Sequence, residues 1–143
     1  MSDVDWSALE AAAIAVRARA YAPYSRYQVG AAVLAEDGRV FVGCNVENAS
    51  YGLTICAERT AAVSMVAAGA REIRAVVVVT AGPEAGSPCG ACRQTLAELA
   101  GDAPVRMLAV DEAGVVISRR ESSVDTLLPG KFRGDQVFAA TKA

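Results

Sequence analysis

Three cysteines in this chain sit where thiolate chemistry is favoured. Cys56 lies in Thr54-Ile55-Cys56-Ala57-Glu58-Arg59, and Cys89 and Cys92 lie in Pro88-Cys89-Gly90-Ala91-Cys92-Arg93-Gln94. The C-x-x-C spacing puts two sulfurs one helical turn apart, so both can reach one ion. Each motif opens onto a helix-forming run, whose unpaired N–H groups and dipole stabilise a thiolate. Three thiolates converging there make a zinc site with one open position. Glu58, two residues after Cys56, suits a general base and acid beside that position, although a carboxylate in a first helical turn also simply complements the dipole. The 143 residues include no histidine. Ser-His-Asp and Cys-His catalysis and His-rich zinc sites are therefore excluded, and a metal must sit on thiolates or carboxylates.

The elements that position these residues follow from periodicity and turn signals. Trp6 to Ala20 carries apolar residues at helical spacing, with Asp3 or Asp5 as cap. Ala22-Pro23-Tyr24-Ser25 breaks that helix. Two β-rich runs, Gln28 to Ala35 and Arg39 to Asn45, are joined by Glu36-Asp37-Gly38, a hairpin signal because Asp and Gly tolerate positive φ. A loop to Thr54 leads to a helix over Cys56 to Ala68, ended by Gly69. The Val-rich run Ile73 to Thr80 reads as a strand buried on both faces. A second short helix spans Gly90 to Ala100, two more strands span Val105 to Val110 and Val115 to Arg119, and Ser122 or Ser123 caps a last helical turn ending at Pro129. The order α-β-β-α-β-α-β-β predicts an α/β fold of three layers, α/β/α, around a five-stranded mixed sheet. A single domain over residues 1–143, with 130–143 as a C-terminal tail, is expected.

Composition narrows the function classes. A net charge of -2, with no basic run, gives no field for gathering phosphates, so nucleic acid is not an expected partner. The N-terminus lacks a basic region followed by an apolar stretch, and the apolar run from Ala75 to Val79 is too short to span a bilayer. A cytoplasmic protein without membrane partners is expected, and in that compartment the four cysteines read as metal or redox chemistry before disulfides. The 53% apolar content, much of it alanine, accords with an oligomer that buries extra surface. Two other readings of the cysteines are a closed four-thiolate module completed by Cys44 and a dithiol oxidoreductase built on Cys89 and Cys92. The first needs no Glu58, and the second leaves Cys56 and Glu58 without a role. Otherwise Cys44, on a strand, is a small buried hydrophobe.

The motifs together resemble the cytidine deaminases of the small, homotetrameric, zinc-dependent type. The resemblance runs from Tyr21 through Phe132 and rests on Ala22-Pro23-Tyr24-Ser25, on Gly43 to Gly52, on Thr54 to Ala61, on Ser87 to Gln94 and on Leu127-Leu128-Pro129-Gly130. It implies that Cys56, Cys89 and Cys92 hold one zinc ion and that Glu58 moves protons during hydrolytic deamination of cytidine and deoxycytidine, a step of pyrimidine salvage. It further implies that Asn45 and Glu47 bind the sugar hydroxyls, that Tyr27 packs on the base where relatives carry phenylalanine, and that Ala57 and Tyr51 line the site. Phe132 resembles an aromatic inserted by a neighbouring subunit, so that the homotetramer completes each site. Deaminases of other cytosine nucleosides share the zinc motif. Three thiolates on Zn²⁺ leave a net negative cluster, and Arg59 and Arg93 are expected to donate to the sulfurs and withdraw charge.

Overall fold

The computed structural model describes residues 3–138. Asp5 caps the first helix, its carboxylate accepting from Ala8 N at 3.1 Å, and α1 runs over Trp6–Arg17. It stops a turn short of the expected Ala20 because Tyr21 is drawn into a bridge beside Val46, with Tyr21 N donating to Asn45 O and Glu47 N to Tyr21 O. Strand β1, Gly30–Ala35, also starts two residues later than its apolar pattern suggests. Gln28 and Val29 are held by side chains instead of a ladder: Arg17 Nε donates to Gln28 O, and Val29 N donates to Asn45 Oδ1. The hairpin to β2, Val40–Cys44, turns where Asp37 and Gly38 predict, with Gly38 at φ 88°.

A short 3₁₀ turn at Tyr51–Leu53 precedes α2, Ala57–Ala67. Strand β3, Ile73–Ala81, α3, Gly90–Leu99, and β4, Pro104–Val110, form the crossover unit, and β3 and β4 pair in parallel. Strand β5, Val116–Ser123, is longer than predicted. Its polar end, Arg119 to Ser123, pairs with β4 as far as Pro104↔Ser123, which an edge strand tolerates because one face is solvated. Ser123 then caps α4, Val124–Leu127, and the tail contains a short helix, α5, Asp135–Phe138, that the pattern did not suggest. Residues 139–143 of the expected tail lie outside the described residues.

The sheet order is β2-β1-β3-β4-β5, antiparallel except for β3 and β4. Side chains alternate between two cores. One face packs Leu9 and Ala13 of α1 onto Ala32, Val77, Val79 and Leu108. The other packs Ala61, Met65 and Leu96 of α2 and α3 onto Val33, Val76, Val78 and Met107. The fold is the α/β/α arrangement with a five-stranded mixed sheet. Among the described residues no helix is long and apolar enough to cross a membrane.

One ionic cluster ties the α1 layer to the far sheet edge. Glu10 accepts from Arg119 at 2.9 Å and from Arg106 at 3.2 Å, and the Arg106 guanidinium lies 4.1 Å from the Trp6 ring centroid. Arg119, then Arg106, hold the Glu10 carboxyl below its ordinary value against the opposing effect of burial. A carboxylate depressed in the folded state stabilises it above the unfolded pKa and loses that contribution as pH falls through the folded value. Glu10→Gln should therefore cost about 1–2 kcal/mol at neutral pH. Denaturant midpoints should show the gap between the two proteins closing as the pH is taken below the ordinary value of 4.5.

Candidate functional site

The N-termini of α2 and α3 begin side by side at the carboxyl end of β3. Cys56 is the N-cap of α2 and Cys89 the N-cap of α3, and neither uses its sulfur to cap its own helix. Cys92 lies buried in the first turn of α3. The entry to α2 is fixed by paired bonds of 2.9 Å between Val46 and Ile55, which close the 45–55 loop. The helix then lies almost against β2. A Cβ on Gly43 would fall 2.4 Å from Ala61 N and 2.5 Å from Ala57 O, so only glycine permits this approach.

The three sulfurs lie within 4.8 Å of one another, with Cys56 and Cys89 Sγ atoms 3.7 Å apart. Sulfurs sharing one tetrahedral zinc at about 2.3 Å sit roughly 3.8 Å from each other. Both the donor set and its spacing thus fit zinc. Among the described residues this is the one cluster of three or more metal-ligating side chains. Cys44 lies half-buried on β2, outside it.

Beside the sulfurs is a pocket of about 260 Å³ whose wall includes Tyr27, Asn45, Glu47, Cys56, Ala57, Glu58 and Cys89. Glu58 is 4% exposed, and its carboxyl is pushed up to about 7, chiefly by burial and further by the neighbouring Cys56. The Cys56 thiol is lowered to about 5, first by the hydrogen bond from Cys92 and then by those from Arg59 and Cys89, against burial. Cys92, the donor, is pushed up correspondingly. Arg59 Nη2 donates to Cys56 Sγ at 3.6 Å and to Thr54 O at 3.3 Å, while its Nε is buried without a partner.

Arg93 departs from the expectation that it serves the sulfurs. Nε donates to Pro88 O at 2.7 Å, Nη1 to Leu127 O at 2.6 Å and Nη2 to the Ser87 hydroxyl. Successive helical residues point about 100° apart, so the residue after Cys92 is turned away from the cluster.

Asn45 is buried, its Oδ1 accepting from Val29 N at 2.9 Å and its Nδ2 donating to Tyr27 O at 2.8 Å. Glu47 accepts from Tyr24 N at 2.9 Å, Ser25 N at 3.1 Å and the Ser25 hydroxyl, and these donors hold its carboxyl below the usual range. Tyr51 and Phe132 are not in the cysteine pocket. Tyr51 is 74% exposed, meets Tyr24 edge to face at 6.0 Å and lines an adjoining cleft; Phe132 is 60% exposed. The pocket also takes in Ser25, Thr54, Thr80 and Ser87, which sequence reasoning did not single out. Ser25, Thr54 and Ser87 lie inside the motif blocks, which was the available signal. Thr80 carries none beyond being a polar end to a Val-rich strand.

Residues 5–108 match the family model described as the cytidine and deoxycytidylate deaminase zinc-binding region. The chain belongs to that deaminase family. A cytidine deaminase of Sporosarcina psychrophila is 48% identical over 128 residues, covering 87% of this chain and 89% of that protein. Among solved structures, the cytidine deaminase of Burkholderia pseudomallei has 47% identity and a TM-score of 0.80, covering 90% of this chain and 100% of that one. The Mycobacterium tuberculosis cytidine deaminase structure has 42% identity and a TM-score of 0.75 over 91% of this chain and 98% of that one. Family membership favours an open three-sulfur site over a closed module or a dithiol reductase. Metal analysis of purified variants checks it: Cys44→Ala should keep its zinc and Cys92→Ser should lose it, whereas metal loss in Cys44→Ala would indicate a closed four-sulfur site.

Proposed function

We propose that the protein hydrolyses cytidine and 2′-deoxycytidine to uridine and 2′-deoxyuridine with release of ammonia. The observation that carries this reading is a buried carboxyl, Glu58, sharing a pocket with Cys56 and Cys89 of the three-sulfur cluster. The similarity to cytidine deaminases of known structure and sequence supports the substrate class.

Cys56, Cys89 and Cys92 hold the zinc, which when bound supplies the Lewis acidity that makes water nucleophilic near neutral pH. Glu58 takes a proton from the attacking water and places it on N3 of the pyrimidine. After attack at C4, the same carboxyl takes the remaining proton from the new C4 hydroxyl and delivers it to the amino group, so that the C4–N bond breaks, ammonia leaves and the C4 carbonyl forms. A carboxyl pushed up to about 7 is matched to both roles, because at neutral pH it accepts and returns a proton with little penalty. Arg59, donating to Cys56 Sγ, draws charge from the thiolate set.

Tyr27 forms the aromatic wall for the base, and Ala57 lines the pocket beside Glu58. Asn45 and Glu47 take the sugar hydroxyls. A carboxylate offers about four lone-pair sites, and three are engaged at Glu47, which leaves acceptor capacity on Oε2 of a residue that lines the pocket. The amide of Asn45 keeps one N–H and one lone pair beyond its two backbone bonds. Tyr51 and Phe132 are exposed aromatics suited to completing sites across subunits. The enzyme works as a cytoplasmic homotetramer in pyrimidine salvage, one catalytic domain per chain, with neither nucleic acid nor membrane as partner.

The purified zinc protein, offered cytidine, deoxycytidine, cytosine, cytidine monophosphate and adenosine, should lose the cytidine and deoxycytidine absorbance and release ammonia. Turnover of a different cytosine nucleoside alone would move the substrate assignment within the family. Glu58→Gln should retain zinc and lose at least about 10²–10⁴ in kcat; activity near that of the parent would remove Glu58 from the mechanism. Arg59→Gln should lower kcat by about 10–100-fold, measured at saturating cytidine with zinc content verified.

A further inference from the structure

The turn that carries Cys89 is anchored piece by piece. At its start, Gly82 N donates to Val110 O at 2.9 Å, Arg120 Nη1 to Ala85 O at 3.3 Å, and Gly86 N to Thr80 Oγ1 at 2.8 Å. The next two residues, Ser87 and Pro88, stand immediately before the ligand. Arg93 reaches back from the first turns of α3 to both of them, to Pro88 O and the Ser87 hydroxyl. The same guanidinium donates to Leu127 O across the layer.

The far end of that contact is itself rigid. Val124 N donates to Ala103 O at 2.9 Å, Asp125 N to Asp102 Oδ1 at 3.0 Å, Ser123 caps α4, and Lys131 pairs with Asp125. Gln94, the neighbour of Arg93, donates through Nε2 to Phe132 O at 2.8 Å. Two consecutive side chains of the cysteine helix thus hold both ends of the 127–132 turn. A planar guanidinium with donors in fixed directions suits three acceptors at once, and a lysine ammonium cannot span the same set.

We propose that Arg93 is a positioning residue for the metal site: it locks the Ser87–Pro88 turn against the α4 turn, and so fixes Cys89 relative to Cys56 and Cys92. This rests on the zinc reading of the three sulfurs. Arg93 acts through the turn that precedes Cys89, by two backbone carbonyls and the Ser87 hydroxyl, whereas Arg59 touches a sulfur directly. Its contribution is geometric and not one of charge.

Zinc release into an excess of chromogenic chelator tests this without reference to activity. Arg93→Gln should release zinc at least tenfold faster than the parent, and Arg93→Lys, which keeps the charge but not the fork, should remain nearly as fast as Arg93→Gln. Ser87→Ala, which removes one acceptor, should show a smaller acceleration. It carries the test with Arg93→Lys if Arg93→Gln does not accumulate as folded protein. Denaturation midpoints of the zinc-free forms separate positioning from general stability. A lowered midpoint with an unchanged release rate would overturn the proposal, as would full restoration by Arg93→Lys. A parent protein that holds no zinc would instead refute the metal reading itself.

Discussion

Three sulfurs can approach within 4.8 Å only if two helices start beside one another, and the rest of the molecule is arranged around that requirement. Helix α2 must descend close enough to β2 for its first turn to reach α3, which fixes glycine at 43. The 45–55 loop must deliver Cys56 at the correct height, which the Val46 and Ile55 bonds accomplish. The crossover from β3 must bring Cys89 and Cys92 to the same end of the sheet, which a parallel β3–β4 pair does. Small alanines along α2, Ala57, Ala61 and Ala62, are all fully buried and keep that layer thin. Much of the chain's alanine content is explained by close approach of layers as well as by helix propensity.

The same convergence creates the electrostatic problem of the site. A thiolate set with no imidazole carries more negative charge than a mixed one, and a buried carboxyl beside it adds to the repulsion. The structure answers in two ways. Arg59 places a guanidinium on Cys56 with its Nε buried, an arrangement that makes sense only where negative charge compensates the desolvation. Glu58, meanwhile, shares the pocket as a group whose burial favours the neutral acid. Charge is thereby concentrated on the sulfurs, while the carboxyl is balanced between its ionised and neutral forms near neutral pH.

Much of this was legible in the sequence because the chemistry is local. Cys56, Glu58, Cys89 and Cys92 lie at helix starts in two short motifs, each weak alone and specific only in combination with the other blocks of the chain. The layer order followed from the alternation of Val-rich runs with helical ones. What was not legible depends on side chains replacing backbone pairing. The late start of β1 reflects Asn45 and Arg17 bonding to Val29 and Gln28, a long-range effect no periodicity encodes. The extension of β5 reflects ladder pairing with β4, which holds in the strand the polar residues Arg119 to Ser123 that would otherwise read as loop. The direction of Arg93 is of the same kind: adjacency to a ligand suggests contact with it, but helical geometry turns the side chain towards Leu127.

Three glutamates show how far environment, rather than residue type, assigns roles here. Glu10 faces Arg119 and Arg106 and is held ionised, so it ties α1 to the sheet. Glu47 receives three donors from Tyr24 and Ser25, also stays ionised, and presents a fixed acceptor at the pocket wall. Glu58 is buried against sulfurs, and its proton affinity rises towards neutrality. A carboxylate fixed by donors is suited to gripping a hydroxyl and poorly suited to shuttling protons, because each donor would be stranded on protonation. Raised proton affinity gives Glu58 the opposite aptitude. Under the proposed function, the division between gripping and proton transfer within one pocket is therefore set by where the donors lie, the segment Tyr24–Ser25 supplying three of them to Glu47.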